Sequence, residues 1–438
     1  MIMLLYWHEI SNSATLESAQ PCKFMLFRLR RICHSWTSMP NKSLEHLEQF
    51  AIDVILERRY GKRAFFLRIF LYLLSHVYGQ IIQLRIYLYE QRYFRWNSVG
   101  CQVISIGNLT VGGTGKTPVV ERFARTLTES GRRVAILSRG YKSVPRPFWK
   151  KLLHRIKTQG EPIPPRVVSN GHSVFLDSEM AGDEPFMLAQ NLKNVVVLVD
   201  KDRVKSAQYA IEKFGVDTLL LDDGYQYLSL TERLNVALVD RYAPFGNRYM
   251  LPRGTLREPK AHLKRADVIF ITKCNGSDIS PLKEEIRQYN KHARIYECTH
   301  KPLYLQNLYD NSRKPLNLLV DTPVGAVAGI AVPEGFEHGL KNLGAEVIYR
   351  RFYADHHRFT SKEIMNALNR TRKRGGHFLV TTEKDAVRFP RVSVPDLPVY
   401  FLRVEIRLLN STDTLDECIR KVCGLENFPD EAAPVCLL

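Results

Sequence analysis

Residues 103–118 read VISIGNLTVGGTGKTP. An apolar run, Val103–Ile106, is followed by a glycine-rich turn. Gly115-Lys116-Thr117 then opens the amphipathic stretch Thr117–Leu127. The order predicts strand, turn and helix, and it builds an anion site. Glycines let backbone N–H groups turn inward around phosphate oxygens, and the helix N-terminus adds the positive end of its dipole. Lys116 is placed to reach the outer phosphates, and the Thr117 hydroxyl to hold Mg²⁺. One departure from the usual phosphate loop stands out. Thr110 occupies the position, five residues before the Gly-Lys pair, where that pattern has glycine. The cradle expected here is Gly112, Gly113, Thr114, Gly115, Lys116, Thr117 and Pro118. An ordinary glycine-rich turn is the plainer reading, and the strand before and helix after weigh against it.

From Val99 onward the pattern alternates. Apolar runs at Val103–Ile106, Val134–Leu137, Val195–Val199, Thr218–Leu221, Val236–Val239 and Val268–Ile271 have helical stretches between several of them. Near-continuous apolar strands separated by helices mean a parallel sheet covered on both faces. Ligands of such sheets bind at the carboxyl ends of the strands. The glycine-rich turn, Ser138-Arg139, Asp222-Asp223, Asp240 and Lys273 all fall there. A strand-end Asp orients the Mg²⁺ shell in phosphate-loop enzymes, so Asp222 or Asp223 is the metal-side candidate. Paired Asp at a turn is also a structural feature in its own right.

A break is expected near Lys301–Pro315, rich in Pro and Asn. Beyond it, strands at Gly325–Val332, Glu346–Tyr349, Phe378–Thr381 and Val399–Val404 alternate with helices at Glu334–Leu343 and Lys362–Arg374. The fold class read from these patterns is α/β. A P-loop NTPase-like parallel sheet core is joined by a second, smaller α/β lobe and an N-terminal amphipathic, membrane-associated helix. The divisions expected are 1–42, a leader; 43–98, the helical segment; 99–315, the core; and 316–438, the C-terminal lobe.

The helix comes from residues 64–89. Phe66, Ile69, Phe70, Leu73, Leu74, Val77, Ile81 and Leu84 recur at helical spacing. Their uncharged run, between Arg68 and Arg85, is shorter than the ~20 apolar residues of a membrane span. With Arg58, Arg59, Lys62, Arg63, Arg92 and Arg95 around it, the segment reads as a helix lying on a bilayer. Packing on the protein's own core is the alternative. Ahead of it, residues 1–42 hold Glu9 and Glu17 against Lys23, Arg28, Arg30, Arg31 and Lys42. This resembles a mitochondrial transit peptide; a non-native start with Met39 as initiator, or a simple tail, is the other reading.

The 438 residues suffice for two domains, and 45% hydrophobic with 25% charged residues excludes a disordered chain. The net charge of +18 points to anionic partners without choosing among nucleic acid, phospholipid and phosphorylated substrates. Eight cysteines without CxxC pairs argue for free thiols, and no zinc spacing occurs. Asn410-Ser411-Thr412 matches a glycosylation acceptor, a triplet common by chance. Cys436-Leu437-Leu438 is one residue short of a prenylation box.

Taken in order, VGGTGKTP, Ser138-Arg139-Gly140-Tyr141, Gly182-Asp183-Glu184-Pro185 and Asp222-Asp223-Gly224-Tyr225-Gln226 resemble the tetraacyldisaccharide 4′-kinases, the lipid A 4′-kinases. Leu256-Arg257-Glu258-Pro259, Ala328-Gly329-Ile330, Asp355-His356-His357 and Thr381-Thr382-Glu383-Lys384-Asp385 continue the series. The resemblance spans about Leu44 to Phe401, and the joint order of the motifs makes it specific. The extra leader suggests a plant mitochondrial member. The resemblance implies a membrane-associated kinase that takes ATP and Mg²⁺ and phosphorylates the 4′-hydroxyl of an anionic glycolipid, a tetraacyldisaccharide 1-phosphate.

It also implies roles. Asp183 matches the family's catalytic base and His356 its partner, whereas local sequence alone reads Asp183 as a helix start. A sugar hydroxyl must lose its proton during transfer, and a carboxylate held by a histidine can take it. His357 is the less favoured of the histidine pair. Glu258 matches an active-site acid and joins Thr117, Asp222 and Asp223 as a metal-side candidate. Arg139 and Arg257 are candidate anion contacts, and Tyr225 stands where many relatives have Phe. Thr381–Asp385 carries no role that can be derived. Two rivals remain: a basic nucleic-acid-associated NTPase and a regulatory GTPase. No RNA-binding signature supports the first. Thr272-Lys273-Cys274-Asn275, in place of Asn-Lys-x-Asp, speaks against the second.

Overall fold

The computed structural model describes residues 50–141, 143–144, 163–390, 396–409 and 412–425. The leader expected at 1–42, the Asn410-Ser411 pair and the C-terminal Cys436-Leu437-Leu438 lie outside the described residues. The chain divides into two compact units. One comprises the described part of 1–96 with 109–111 and 243–263; the other comprises 97–108, 112–242 and the described part of 264–438.

The first unit is built on a 29-residue helix, α1 (Lys62–Glu90). Its length and composition would allow it to cross a membrane. Ser75, Tyr78, Ile82, Ile86 and Tyr89 form its buried row. Tyr78 donates to the Arg257 carbonyl at 3.0 Å, and Tyr72 meets Tyr249 edge-on. The apolar row read from the sequence faces outward: Phe66 is 68% exposed and Leu73 59%, with Ile69, Phe70, Val77, Ile81 and Leu84 also exposed. The helix is therefore apolar on both sides, a pattern that periodicity alone does not separate from one-sided amphipathicity.

The second unit holds one sheet of thirteen strands among the described residues. In chain order they are β1 (Gln102–Gly107), β2 (Val134–Ser138), β3 (Arg166–Asn170), β4 (Val195–Val199), β5 (Thr218–Asp222), β6 (Leu234–Asp240) and β7 (Val268–Thr272). Then follow β8 (Arg294–Asn307), β9 (Arg313–Lys314), β10 (Pro323–Ala328), β11 (Glu346–Phe352), β12 (Phe378–Thr382) and β13 (Val399–Leu409). The spatial order is β11-β10-β12-β13-β8-β7-β6-β1-β5-β2-β4-β3, with β9 on β8. β1 lies between β5 and β6, parallel to both.

Alternate residues of the strands serve opposite faces. On one face Ile104, Ile106, Ile136 and Leu220 pack with Val119, Val120 and Phe123 of α2 (Lys116–Glu129) and Leu188 of α3 (Asp183–Asn191). On the other, Val103, Leu137, Leu219 and Leu221 pack with Ala207 and Ala210 of α4 (Arg203–Phe214). The cysteines among the described residues are free thiols.

The smaller lobe repeats this layering with its own cores. Leu340, from the helix Pro333–Asn342, packs on one side of β10 and β12; Ile364 and Leu368, from the helix Ser361–Lys373, pack on the other. The expected boundary at 315/316 falls inside the second unit, because β8 spans the predicted break. Its first residues pair parallel with β7 and its length pairs antiparallel with β13. Pro302 is accommodated where the β8–β13 register shifts at Arg403/Val404. The strand expected at Gly325–Val332 ends at Ala328.

Candidate active site

Helix α2 begins at Lys116 behind Gly115, whose φ of 78° is left-handed and whose position gives no side-chain cap. A Cβ at Gly115 would lie 2.6 Å from His300 Nε2, so both backbone and space require glycine. The first turn carries no acid. Its N–H groups are thus left for an external acceptor, and Pro118 is tolerated there because that turn needs no intrahelical donor. The turn is fastened from behind. Thr272 Oγ1 donates to the Thr114 carbonyl at 2.8 Å. Lys273 Nζ donates to the Gly113 carbonyl at 3.0 Å and pairs with Asp240. Burial first, then Lys273, pushes the His300 imidazole down to about 4, so it is neutral against the loop.

Lys116 Nζ donates to Asn108 Oδ1 at 2.9 Å and lies 3.2 Å from Asp223 Oδ1. Asp222 ends β5, buried, and accepts from Ser138 Oγ at 3.0 Å. Asp223 follows with a left-handed φ of 56°. The polar groups expected at the strand ends are therefore gathered. Burial, then Glu184 and Asp223, pushes the Asp222 carboxyl up to about 7 despite Lys116 and Ser138. A buried carboxylate at Asp222 with two further acids, Asp223 and Glu184, close enough to raise its pKa fits a divalent cation. Mg²⁺ is held by one or two carboxylates together with substrate phosphates, and no cluster of three or more His, Cys, Asp or Glu suited to a metal occurs among the described residues. Glu258 belongs to the first unit, where its buried carboxylate lies 2.9 Å from His262 Nδ1.

Asp183 is the first residue of α3. Gly182 holds the cap position and no side chain caps the helix. The Asp183 carboxylate instead turns to His356, whose Nδ1–H donates to Oδ2 at 2.9 Å. His356 has a φ of 63°, and its N–H donates to the Gly329 carbonyl. Asp183 Oδ1 makes no hydrogen bond; the nearest cation on that side is Arg358, at 3.7 Å. Burial would raise the Asp183 pKa, but the His356 hydrogen bond, then Arg388, then Arg358 more than offset it, and the carboxyl stays below its ordinary range. His357 is engaged elsewhere: it stacks on Tyr353 and its Nε2 meets Glu363 at 3.1 Å. Arg388, not found by sequence reading, is buried with its Nε 3.4 Å from Asp183 Oδ2. Its one local signal is the i,i+3 spacing from Asp385.

A glycine-rich loop after β1, Asp222 and Asp223 at the end of the neighbouring β5, and a buried carboxylate with one oxygen that makes no hydrogen bond define an α/β P-loop phosphotransferase. The family model described as tetraacyldisaccharide-1-P 4′-kinase matches residues 67–424. The tetraacyldisaccharide 4′-kinase of Halothermothrix orenii is 34% identical over 387 residues, covering 84% of this chain and 96% of that protein. That of Desulfotalea psychrophila is 36% identical over 354 residues, covering 80% and 95%. The crystal structure of LpxK from Aquifex aeolicus, described as in complex with ATP, superposes with a TM-score of 0.63 at 28% identity, covering 82% and 98%. The chain belongs to the tetraacyldisaccharide 4′-kinase family and is an ATP-dependent kinase. This decides against the nucleic-acid-associated NTPase.

Proposed function

We propose that the chain transfers the γ-phosphate of ATP to the 4′-hydroxyl of a tetraacyldisaccharide 1-phosphate, with Asp183 as the base. The observation that carries this reading is the asymmetry of the Asp183 carboxylate: Oδ2 is tied to His356 while Oδ1 makes no hydrogen bond. Oδ1 takes the hydroxyl proton as the sugar oxygen bonds to the γ-phosphorus and ADP leaves. His356 holds the carboxylate in orientation through its hydrogen bond to Oδ2. The N–H groups of Gly112–Thr117 and the Lys116 ammonium bind the phosphate chain and stabilise charge developing on the transferred group.

Thr117, Asp222 and Asp223, which share one unit, would hold Mg²⁺. When bound, Mg²⁺ neutralises charge on the β- and γ-phosphate oxygens. We further propose that the outward apolar row of α1 seats residues 43–98 on a bilayer, where the acyl chains of the acceptor reside. The length of the helix and the exposed Phe66, Phe70 and Leu73 support this. A mitochondrial location is the reading we keep for the Arg-rich, acid-poor leader; a fluorescent fusion of residues 1–42 that stays outside mitochondria would remove it.

The test of the reaction is direct. The protein is incubated with ATP, Mg²⁺ and a tetraacyldisaccharide 1-phosphate, and the lipid is examined by mass spectrometry. One added phosphate, lost in Asp183→Asn, is expected. An unmodified lipid alongside ATP turnover would mean another acceptor.

A further inference from the structure

Thr381–Asp385 had no role derivable from sequence, and the fold supplies one. Thr382 caps a single helical turn, Glu383–Ala386, and its hydroxyl donates to Asp385 Oδ2 at 2.6 Å. Asp385 Oδ1 accepts the Gly329 N–H at 3.0 Å and pairs with Arg388 at 3.0 Å. Arg388 then reaches Asp183 directly and the backbone around His356 through two carbonyls. Nη1 donates to the Gly329 carbonyl at 3.2 Å, the same carbonyl that accepts from the His356 N–H, and to the His357 carbonyl at 3.1 Å. Nε donates to the Lys384 carbonyl at 3.1 Å and lies 3.4 Å from Asp183 Oδ2, the oxygen that His356 also holds.

The same turn braces α3 at both ends. Lys384 pairs with Glu184 at 3.2 Å, and Glu383 accepts from Asn191 at 2.7 Å. A buried guanidinium needs a carboxylate, and Asp385 alone would satisfy that need. The second carboxylate and the two carbonyls around His356 are what a purely local ion pair does not require.

We propose that Arg388, seated on Asp385, is a positioning residue that aims the Asp183 carboxylate at the acceptor hydroxyl, with Thr381–Asp385 as its frame. This rests on Asp183 being the base. The groups facing Asp183 are His356 and Arg358 from the segment after β11, and Arg388 beyond the 383–386 turn. Asp355 lies 3.8 Å from His356 Nε2, and Glu184, Lys384 and Asp385 surround them. Arg388 is one of the cations that keep Asp183 ionised, so its loss raises the carboxyl pKa. A base works only when deprotonated, so the acid limb of the rate then moves to higher pH.

The experiment measures kcat, KM for ATP and the pH profile of kcat in Arg388→Met, Arg388→Lys and Asp385→Asn, with circular dichroism to check folding. Arg388→Met is expected to lower kcat about 10- to 100-fold, to leave KM for ATP within about twofold, and to move the acid limb up by about 1 to 3 pH units. Arg388→Lys retains the charge but not the fork, so its limb stays near the parent's while kcat remains low. If Arg388→Met does not fold, Arg388→Lys decides by a lowered kcat with an unmoved limb, and Asp385→Asn by a lowered kcat with KM for ATP within about twofold; parental kcat in both overturns the proposal. Folded variants with parental kcat, or a low kcat in Arg388→Met with an unmoved limb, overturn the proposal. Asp183→Asn serves as the separate arm. If it turns over normally, the base assignment itself is wrong; if it is inactive while Arg388 variants behave as the parent, only the positioning role falls.

Discussion

The phosphate loop, Gly112–Pro118, and the Asp183 cluster stand in the same unit, and Glu184, next to Asp183, raises the pKa of Asp222 beside the loop lysine. They are made in different ways. The loop is one contiguous stretch working mainly through backbone N–H groups that a helix start leaves without partners. The Asp183 cluster draws on residues 183, 329, 356, 385 and 388, and works mainly through side chains whose geometry the C-terminal lobe fixes. The first is encoded in one local stretch, with Thr272 and Lys273 fastening it from behind; the second exists only when β10, β12 and the segment after β11 are folded beside α3. Damage to one should therefore read out differently from damage to the other.

Lys116→Ala gives the largest effect. It removes the ammonium beside the transferred phosphoryl group and should cut turnover by about 10³-fold or more, with the fold intact by circular dichroism. Near-normal turnover in a folded variant would remove the loop from the nucleotide site. Replacing Ile69, Leu73 and Val77 of α1 with Ser probes a third region, separate from both. These side chains are exposed, so folding and ATP affinity should hold while the protein no longer floats with anionic liposomes and uses lipid acceptor poorly. Loss of ATP binding in step with flotation would instead make the helix part of the catalytic fold. Thr272→Val should have the smallest effect. It removes one hydrogen bond to the loop, worth about 0.5–1.5 kcal/mol, and a rise of severalfold in KM for ATP with little change in kcat is expected. An unchanged KM would show that the loop holds its shape without that support.

How much was legible follows the same division. The central strands could be read because they are buried on both faces and nearly all apolar, as in Val195–Val199 and Val268–Thr272. β3, with Ser169 and Asn170, and β8, with Pro302 inside it, carry no such signal and depend on their neighbours for pairing. The loop could be read from spacing alone. Asp183 could not, since Gly-Asp-Glu-Pro is a good helix start, and it is one: the residue opens α3 while its side chain serves His356. That pairing came from family resemblance. Arg388 lay beyond both, because its partners are separated from it by as many as 205 positions in the chain, from 183 to 388, and only the folded lobe brings them together.

The central claim is that Asp183 acts on the acceptor and not on the nucleotide. Its most direct test is to measure turnover and ATP dissociation constant side by side in Asp183→Ala, His356→Ala and the double variant. Turnover in Asp183→Ala should fall by about 10² to 10⁴, with ATP affinity within about twofold of the parent. The double variant should lose less than the product of the single losses, since the two side chains act as one unit. Unimpaired turnover in Asp183→Ala, or a loss of ATP affinity that matches the loss of rate, would contradict the account.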